Sequence, residues 1–207
     1  MDRGRGVPHA ARRALGALRV ERRNGTSCAV RTSGPQDVGW AAPAAALIRE
    51  AARSHDIAVR SEELLRSKLR SGRAVLGFFG QELVGFGYYS EWEGGRFLSH
   101  SGLVVRPDMR GKGLGRALKL ALFEASRVRF PKAIVMSLTT SPEVMALNSS
   151  LGFVPVPFED MTKDEEFWKG CETCRNWEEA KRLGQQCCCQ GMILTPDSQP
   201  PQAEDND

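Results

Sequence analysis

The stretch that most constrains this chain is Leu103-Val104-Val105-Arg106-Pro107-Asp108-Met109-Arg110-Gly111-Lys112-Gly113-Leu114-Gly115-Arg116. Leu103, Val104 and Val105 read as the end of a buried strand. Pro107 removes a ladder donor and turns the chain. Gly111, Gly113 and Gly115 follow at alternate positions, and residues 117–123 read as a helix. Strand, glycine-rich turn and helix N-terminus together present backbone N–H groups that have no intrahelical acceptor. The helix dipole adds positive potential at the same point. Such a frame cradles phosphate or pyrophosphate. Arg110, Lys112 and Arg116 add charge around it.

The spacing excludes two common phosphate motifs. Neither Gly-x-Gly-x-x-Gly nor Gly-x4-Gly-Lys-Ser/Thr is present. What is present is Arg-x-x-Gly-x-Gly, as Arg110 to Gly115, behind a hydrophobic strand ending in Val-x-Pro, with Leu151-Gly152-Phe153 further on. Over residues 28–160 this resembles the GNAT acetyltransferase superfamily. The resemblance implies a mixed, mostly antiparallel α/β (α+β) sheet flanked by helices. It implies that the strands at 96–105 and 133–139 splay apart to admit the pantetheine arm of acetyl-CoA. Arg110, Gly111, Lys112, Gly113, Leu114, Gly115 and Arg116 would then hold the pyrophosphate. Backbone N–H groups near Leu103, Val104 and Val105 would bond the pantetheine or the thioester.

The patterning around this motif gives an order β, α, α, β, β, β, α, β, α, β. Residues 28–32 read as a first strand. Asp37 could cap a helix through 45–51, and Ser61 caps another carrying Leu64, Leu65 and Leu69. Strands at 74–79 and 82–89 form a hairpin, Glu91 and Glu93 lie in the next turn, and the glycine-turn strand follows. Ser141 and Pro142 open a short helix. A hairpin meander joined to a crossover requires a mixed sheet.

Four segments follow: a basic tail at 1–26, an acyltransferase core at 27–160, a Cys-rich extension at 161–195 that completes the sheet, and a polar tail at 196–207. Within residues 1–27 stand seven Arg against two acids, or +5, so the net +4 of the 207-residue chain leaves about −1 for the rest. The basic balance thus belongs to a tail and does not mark a nucleic-acid surface. No apolar run is long enough to span a bilayer, and no signal peptide is seen. The expectation is a cytoplasmic monomer or homodimer acting on a small-molecule amine, with neither nucleic acid nor membrane as partner.

Acetyl transfer to an amine needs a base for the amine, polarisation of the thioester and a proton for the thiolate. The strand at 96–105 has no acid, so His100 is the candidate base, with Glu91 and Glu93 as alternatives. His100 could equally fill space on a sheet face, bonded to Ser99 or Ser101. Many GNAT enzymes place a Tyr four residues before the Gly of Leu-Gly-Phe, where this chain has Asn148. Asn148 can hydrogen-bond a sulfur but cannot donate a proton at useful pKa. A non-catalytic acyl-CoA sensor on the same frame is the alternative function.

With Ser-His-Ser-Gly-Leu-Val-Val at 99–105, Asp-Glu-Glu-Phe-Trp-Lys-Gly-Cys at 164–171 and Gly-Met-Ile-Leu at 191–194, the segment from Ser99 onward also resembles stand-alone bacterial GNAT proteins linked with arginine biosynthesis, which implies glutamate as acceptor. Arg96, Lys132 and Lys169 are candidate clamps for its carboxylates. Five of the six cysteines lie between 171 and 189. Cys171, Cys174, Cys187 and Cys189 could close a structural zinc site; a disulfide pair and unrelated buried thiols are the competing readings. A final strand through 187–194 would put Cys187 and Cys189 on one face and Cys188 on the other.

Overall fold

A computed structural model describes residues 18–21 and 27–198. Eight strands form one sheet: β1 Leu18–Glu21, β2 Ser27–Thr32, β3 Ala74–Phe79, β4 Glu82–Trp92, β5 Phe97–Val105, β6 Ile134–Thr139, β7 Val154–Val156 and β8 Gln190–Leu194. Their spatial order is β1-β2-β3-β4-β5-β6-β8-β7. Only β5 and β6 pair in parallel among the described strands. The sheet is therefore mixed and mostly antiparallel, as the patterning predicts.

Among the described residues six α-helices flank it: α1 Ala41–Ala52, α2 Glu62–Arg70, α3 Leu114–Arg129, α4 Pro142–Ser150, α5 Glu165–Lys169 and α6 Trp177–Arg182. α1 and α2 bury Ala41, Ala45, Ile48, Leu65 and Leu69 on one face against Leu76, Phe86 and Val104. α3 buries Leu114, Leu118 and Leu122 on the other face against Val75, Val84 and Leu98. At about 25 cal/mol per Å² of apolar area, burial of these branched side chains dominates what holds the layers together. Met161, Phe167 and the half-buried Trp168 of the extension cover β5 and β6 on the α1–α2 face, around Phe97 and Met136.

Several local readings change. Asp37 does not cap α1. It is buried, ion-paired to Arg31 at 2.6 Å and accepts the Gly34 N–H, closing the turn Pro35–Trp40. Ser61 caps α2 and Ser141 caps α4 as expected, each accepting an N–H three residues on. Asp164 caps α5 by accepting the Glu166 N–H, and the Thr162 hydroxyl donates to Glu93. β1 falls inside the segment read as a tail at 1–26, so at least 18–21 belongs to the sheet. The remainder of that tail, and 199–207, lie outside the described residues. β8 inserts between β6 and β7, so the extension contributes an interior strand. No helix among the described residues is long and apolar enough to cross a membrane.

Candidate active site

β5 and β6 share three residue pairs, Phe97–Ile134, Leu98–Val135 and Ser99–Met136, and then part. β5 continues to Val105 while still pairing with β4, and β6 continues to Thr139 paired on its other edge with β8. The cause of the divergence lies in β5. Its register against β4 slips between the pairs Tyr88–Ser101 and Phe86–Val104, so one residue of β4 faces two of β5. Gly102 takes φ 61 in this bulge, and a Cβ there would meet the Tyr88 ring at 2.8 Å. A bulge bends and twists its strand. Backbone groups of 100–105 that point away from β4 consequently face a gap. By strand alternation Leu103 and Val105 turn their backbone groups to this free edge, where a strand-like ligand could pair, while Val104 between them pairs with Phe86 of β4.

The edge runs directly into the glycine turn. Pro107–Met109 forms a single 3-10 turn, and α3 then begins from Gly113 as its N-cap. Gly111 and Gly113 sit at φ 69 and 78, which a side chain would strain. Among the described residues, no backbone acceptor engages the N–H groups of 111–116. Arg106 is occupied, bridging Asp108 and Glu82. Arg110, Lys112 and Arg116 have no carboxylate partner among the described ion pairs. Arg110 bonds instead to the Val105 carbonyl and meets His55 Nε2 at 2.9 Å, Lys112 bonds to the Asp108 carbonyl, and Arg116 to the Ser150 hydroxyl. Unpaired donors and unpaired cations around a helix N-terminus fit a diphosphate.

At the inner end of the gap lies a buried polar group. His100 and Ser137 follow the last shared pair on their respective strands. His100 Nε2 lies 3.1 Å from the Ser126 hydroxyl of α3, and not near Ser99 or Ser101, while Nδ1 has no partner. Burial, reinforced by the nearby charges of Lys119 and Arg127, pushes its pKa well below the ordinary value. His100 is therefore neutral. Asn148 Nδ2 donates to Ser137 Oγ at 3.1 Å, and its Oδ1 is unpartnered. Lys119 of α3, only 1 % exposed, places its ammonium 4.6 Å from the centre of the Phe153 ring. Burial lowers its pKa to about 7. Among the described residues it has no carboxylate and no hydrogen-bond acceptor in reach. An unpaired buried lysine is costly, and such groups concentrate at functional sites.

His100 lies beside Phe153, ring centres 6.4 Å apart, the main-chain carbonyl of Asn148 accepts the Phe153 N–H at 3.1 Å, and Lys119 joins them unforeseen. Its signal was positional: 119, 122 and 126 lie on one helix face, and Leu122 and Ser126 are buried. Glu91 does not join them. It lies within β4 and not in the turn, opposite Leu98 on the closed side, with its carboxylate 3.0 Å from Arg73. Glu93 accepts from Thr162 and Lys163 and acts as a structural anchor. Arg96 and Lys132 stand at the closed ends of β5 and β6, and Lys169 is paired with Glu166 at 2.6 Å. None of the three faces the gap. On the α1–α2 face, Arg60 donates to the Tyr88 hydroxyl at 2.8 Å, and Lys68 lies 5.9 Å from the centre of the Tyr88 ring. Tyr88 pairs with Ser101 beside the gap. Burial lowers the Lys68 pKa to about 8.

The cysteines lie elsewhere. Cys187, Cys188 and Cys189 precede β8 and are not on a strand, so the alternation expected there does not hold. All three sulfurs come within 4.8 Å of one another. A cavity of about 620 Å³ lies on the extension between Trp168 and Trp177, and no residue of β5 or α3 lines it.

Comparison with known proteins agrees with this geometry. No curated protein matches the sequence significantly. N-acetylglutamate synthase from Neisseria gonorrhoeae, solved with coenzyme A and N-acetyl-glutamate, superposes with a TM-score of 0.59 at 15 % identity. The match covers 81 % of this chain and 35 % of that one, so the chain spans about a third of that enzyme. Rv2747 from Mycobacterium tuberculosis, solved with CoA, gives 0.55 at 18 % identity over 80 % of this chain and 98 % of its own. The ribosomal-protein-alanine N-acetyltransferase from Brucella melitensis gives 0.56 at 18 % identity over 80 % and 98 %. These likenesses establish a shared fold. The model of the acetyltransferase (GNAT) family matches residues 44–149, which include β5, the glycine turn, α3 and β6. The chain belongs to the GNAT family of acetyltransferases.

Proposed function

We propose that this protein transfers the acetyl group of acetyl-CoA to the primary amine of a small carboxylate-bearing molecule, an amino acid such as glutamate. The observation that carries the reading is the continuity of the gap between β5 and β6 with the unpaired amides of 111–116. The amides of 111–116, with Arg110, Lys112 and Arg116, hold the diphosphate. The free edge of β5 at Leu103 and Val105 pairs with the pantetheine and polarises the thioester carbonyl.

The buried group handles protons. Acyl transfer breaks the C–S bond, forms a C–N bond, and moves one proton from the amine to the thiolate. Lys119, whose pKa lies near 7, gives its proton to the thiolate. Neutral His100 takes the amine proton on its free Nδ1 and returns it to Lys119. The site thus carries one positive charge before and after, and never two. The Oδ1 of Asn148 accepts a hydrogen bond from the ligand at the same place. Arg60 and Lys68, free of carboxylate partners among the described residues, receive the acceptor's carboxylate on the opposite face.

Thiol release from acetyl-CoA with a panel of amines, glutamate and other amino acids included, tests this reading. Turnover on a carboxylate-bearing amine is expected. Acetyl-CoA binding without turnover on any amine would favour the sensor. Asn148 and His100 give that alternative its footing, because each is bonded within the core, to Ser137 and Ser126.

A further inference from the structure

The segment 171–189 lacks a core of its own. Ala180 is its one buried residue, although the segment leads directly into the interior strand β8. Two loops meet there. Cys171 and Cys174 occupy a tight turn after α5, closed by the Cys174 N–H on the Cys171 carbonyl at 2.9 Å. Cys187, Cys188 and Cys189 form the approach to β8. The Cys171 and Cys189 thiols both lie beside the Cys187 sulfur, close enough for each to perturb the ionisation of the other. Cys174 lies beside Cys187 and Cys188.

N–H donors point at these sulfurs. The Cys189 amide lies 3.5 Å from Cys187 Sγ, the Asn176 backbone N–H is directed at Cys174, and Asn176 Nδ2 lies 3.4 Å from Cys188 Sγ. Donors of this kind favour the thiolate form and orient metal ligands. Zinc at about 2.3 Å from four tetrahedral sulfurs places those sulfurs about 3.8 Å apart. Of the four, Cys187 and Cys189 already lie within 4.8 Å of each other, a spacing that a rotamer shift of about an ångström brings to that value, and the 171–174 turn closes on them from the other loop. An all-thiolate set selects a soft metal of tetrahedral preference.

We infer that Cys171, Cys174, Cys187 and Cys189 bind a structural zinc ion that holds the 171–189 segment and β8 in place. Binding releases the thiol protons to solvent. Cys188, the most exposed of the three before β8, stays outside the tetrahedron on Asn176. The consequence reaches the acceptor side of the site. Arg60 donates to the Gly170 carbonyl and Thr173 hydroxyl, and Arg175 pairs with Asp56 at 3.2 Å. The metal loop therefore anchors the segment before α2 that carries Arg60.

The test is metal analysis of the full chain, purified under reducing conditions without added metal or chelator. About one zinc per chain is expected. Cobalt exchange should give thiolate charge-transfer bands and the intense visible bands of a tetrahedral site. Cys171→Ser and Cys189→Ser should lose the metal, and Cys188→Ser should keep it. A zinc content under a tenth of an equivalent that is not restored by added zinc would overturn the inference, as would iron in place of zinc. Disulfides among these five cysteines in alkylation mass spectrometry would do the same. None of these readouts depends on acetyl transfer, so the two proposals can fail separately.

Discussion

His100 and Ser137 are the first residues beyond the point where β5 and β6 part, and each is held by a different helix. Ser126 of α3 lies 3.1 Å from the imidazole, and Asn148 of α4 donates to the serine hydroxyl at 3.1 Å. The gap is thereby fixed at its inner end by polar contacts to two helices. Lys119 supplies the one charge there that changes near neutral pH.

Lys119→Met should stabilise the protein and impair it together. The folded-state pKa of about 7 lies below the ordinary 10.5, so between those values the unfolded chain binds the extra proton. Stability attributable to this group therefore rises with pH across that window, by up to about 1.4 kcal/mol per pH unit. Below pH 7 the cost of the buried ammonium is present in full. Thermal melting should show Lys119→Met more stable at pH 7 by about 1–3 kcal/mol, with the gain shrinking towards pH 10. Its kcat should fall about a hundredfold, the loss of one proton-transfer partner. Unchanged kcat would remove Lys119 from the chemistry.

His100→Gln addresses acid stability. Burial lowers the imidazole pKa in the folded state, so below about pH 6.5 the unfolded chain binds a proton that the folded chain excludes. Stability from this group is full above that pH and is lost as pH falls, by up to about 1.4 kcal/mol per unit. Urea denaturation from pH 7 to 5 should show a shallower loss in His100→Gln. Its turnover should fall while the apparent pKa near 7 survives in the pH profile. Disappearance of that pKa would show that His100, and not Lys119, titrates.

Gly113→Ala tests the turn. At φ 78 the new Cβ costs about 1–2 kcal/mol of backbone strain and protrudes among the free amides. The KM for acetyl-CoA should rise about tenfold or more, equivalent to about 1.4 kcal/mol, with acceptor KM little changed.

Lys68→Gln tests the acceptor side. Its partly desolvated ammonium makes no ion pair among the described residues, so it contributes little that a neutral amide would remove from stability. The acceptor KM should rise about tenfold while acetyl-CoA affinity holds, because the residue lies on the α1–α2 face, across the sheet from α3. An equal effect on both substrates would contradict this placement.

The frame of the site was legible because it rests on local backbone demands. Alternate glycines after Val-x-Pro dictate the turn, Ser61 and Ser141 announce helix starts, and the apolar runs of β3 to β6 have strand length. What was not legible depended on where strands stop and which face closes. Glu91 read as a turn residue because its neighbour Trp92, which extends β4, precedes a Glu-Gly-Gly turn signal. Cys187 to Cys189 read as strand because they run into the apolar β8, yet the ladder starts only at Gln190. Residue type does not mark Lys119, since a lysine within residues 117–123 gives no sign of burial until α3 packs on the sheet; only its spacing to Leu122 and Ser126 points inward. Arg60 and Lys68 reach the gap only through Tyr88, a tertiary contact without sequence spacing.

The central claim is that the amides of 111–116 grip the diphosphate of acetyl-CoA. Backbone amide resonances followed during titration with acetyl-CoA test it most directly. The account predicts saturable shifts at Gly111, Gly113 and Gly115, accompanied by Leu103 and Val105 on the free edge of β5. Shifts confined to the extension around Trp168 and Trp177, or none at millimolar ligand, would contradict it.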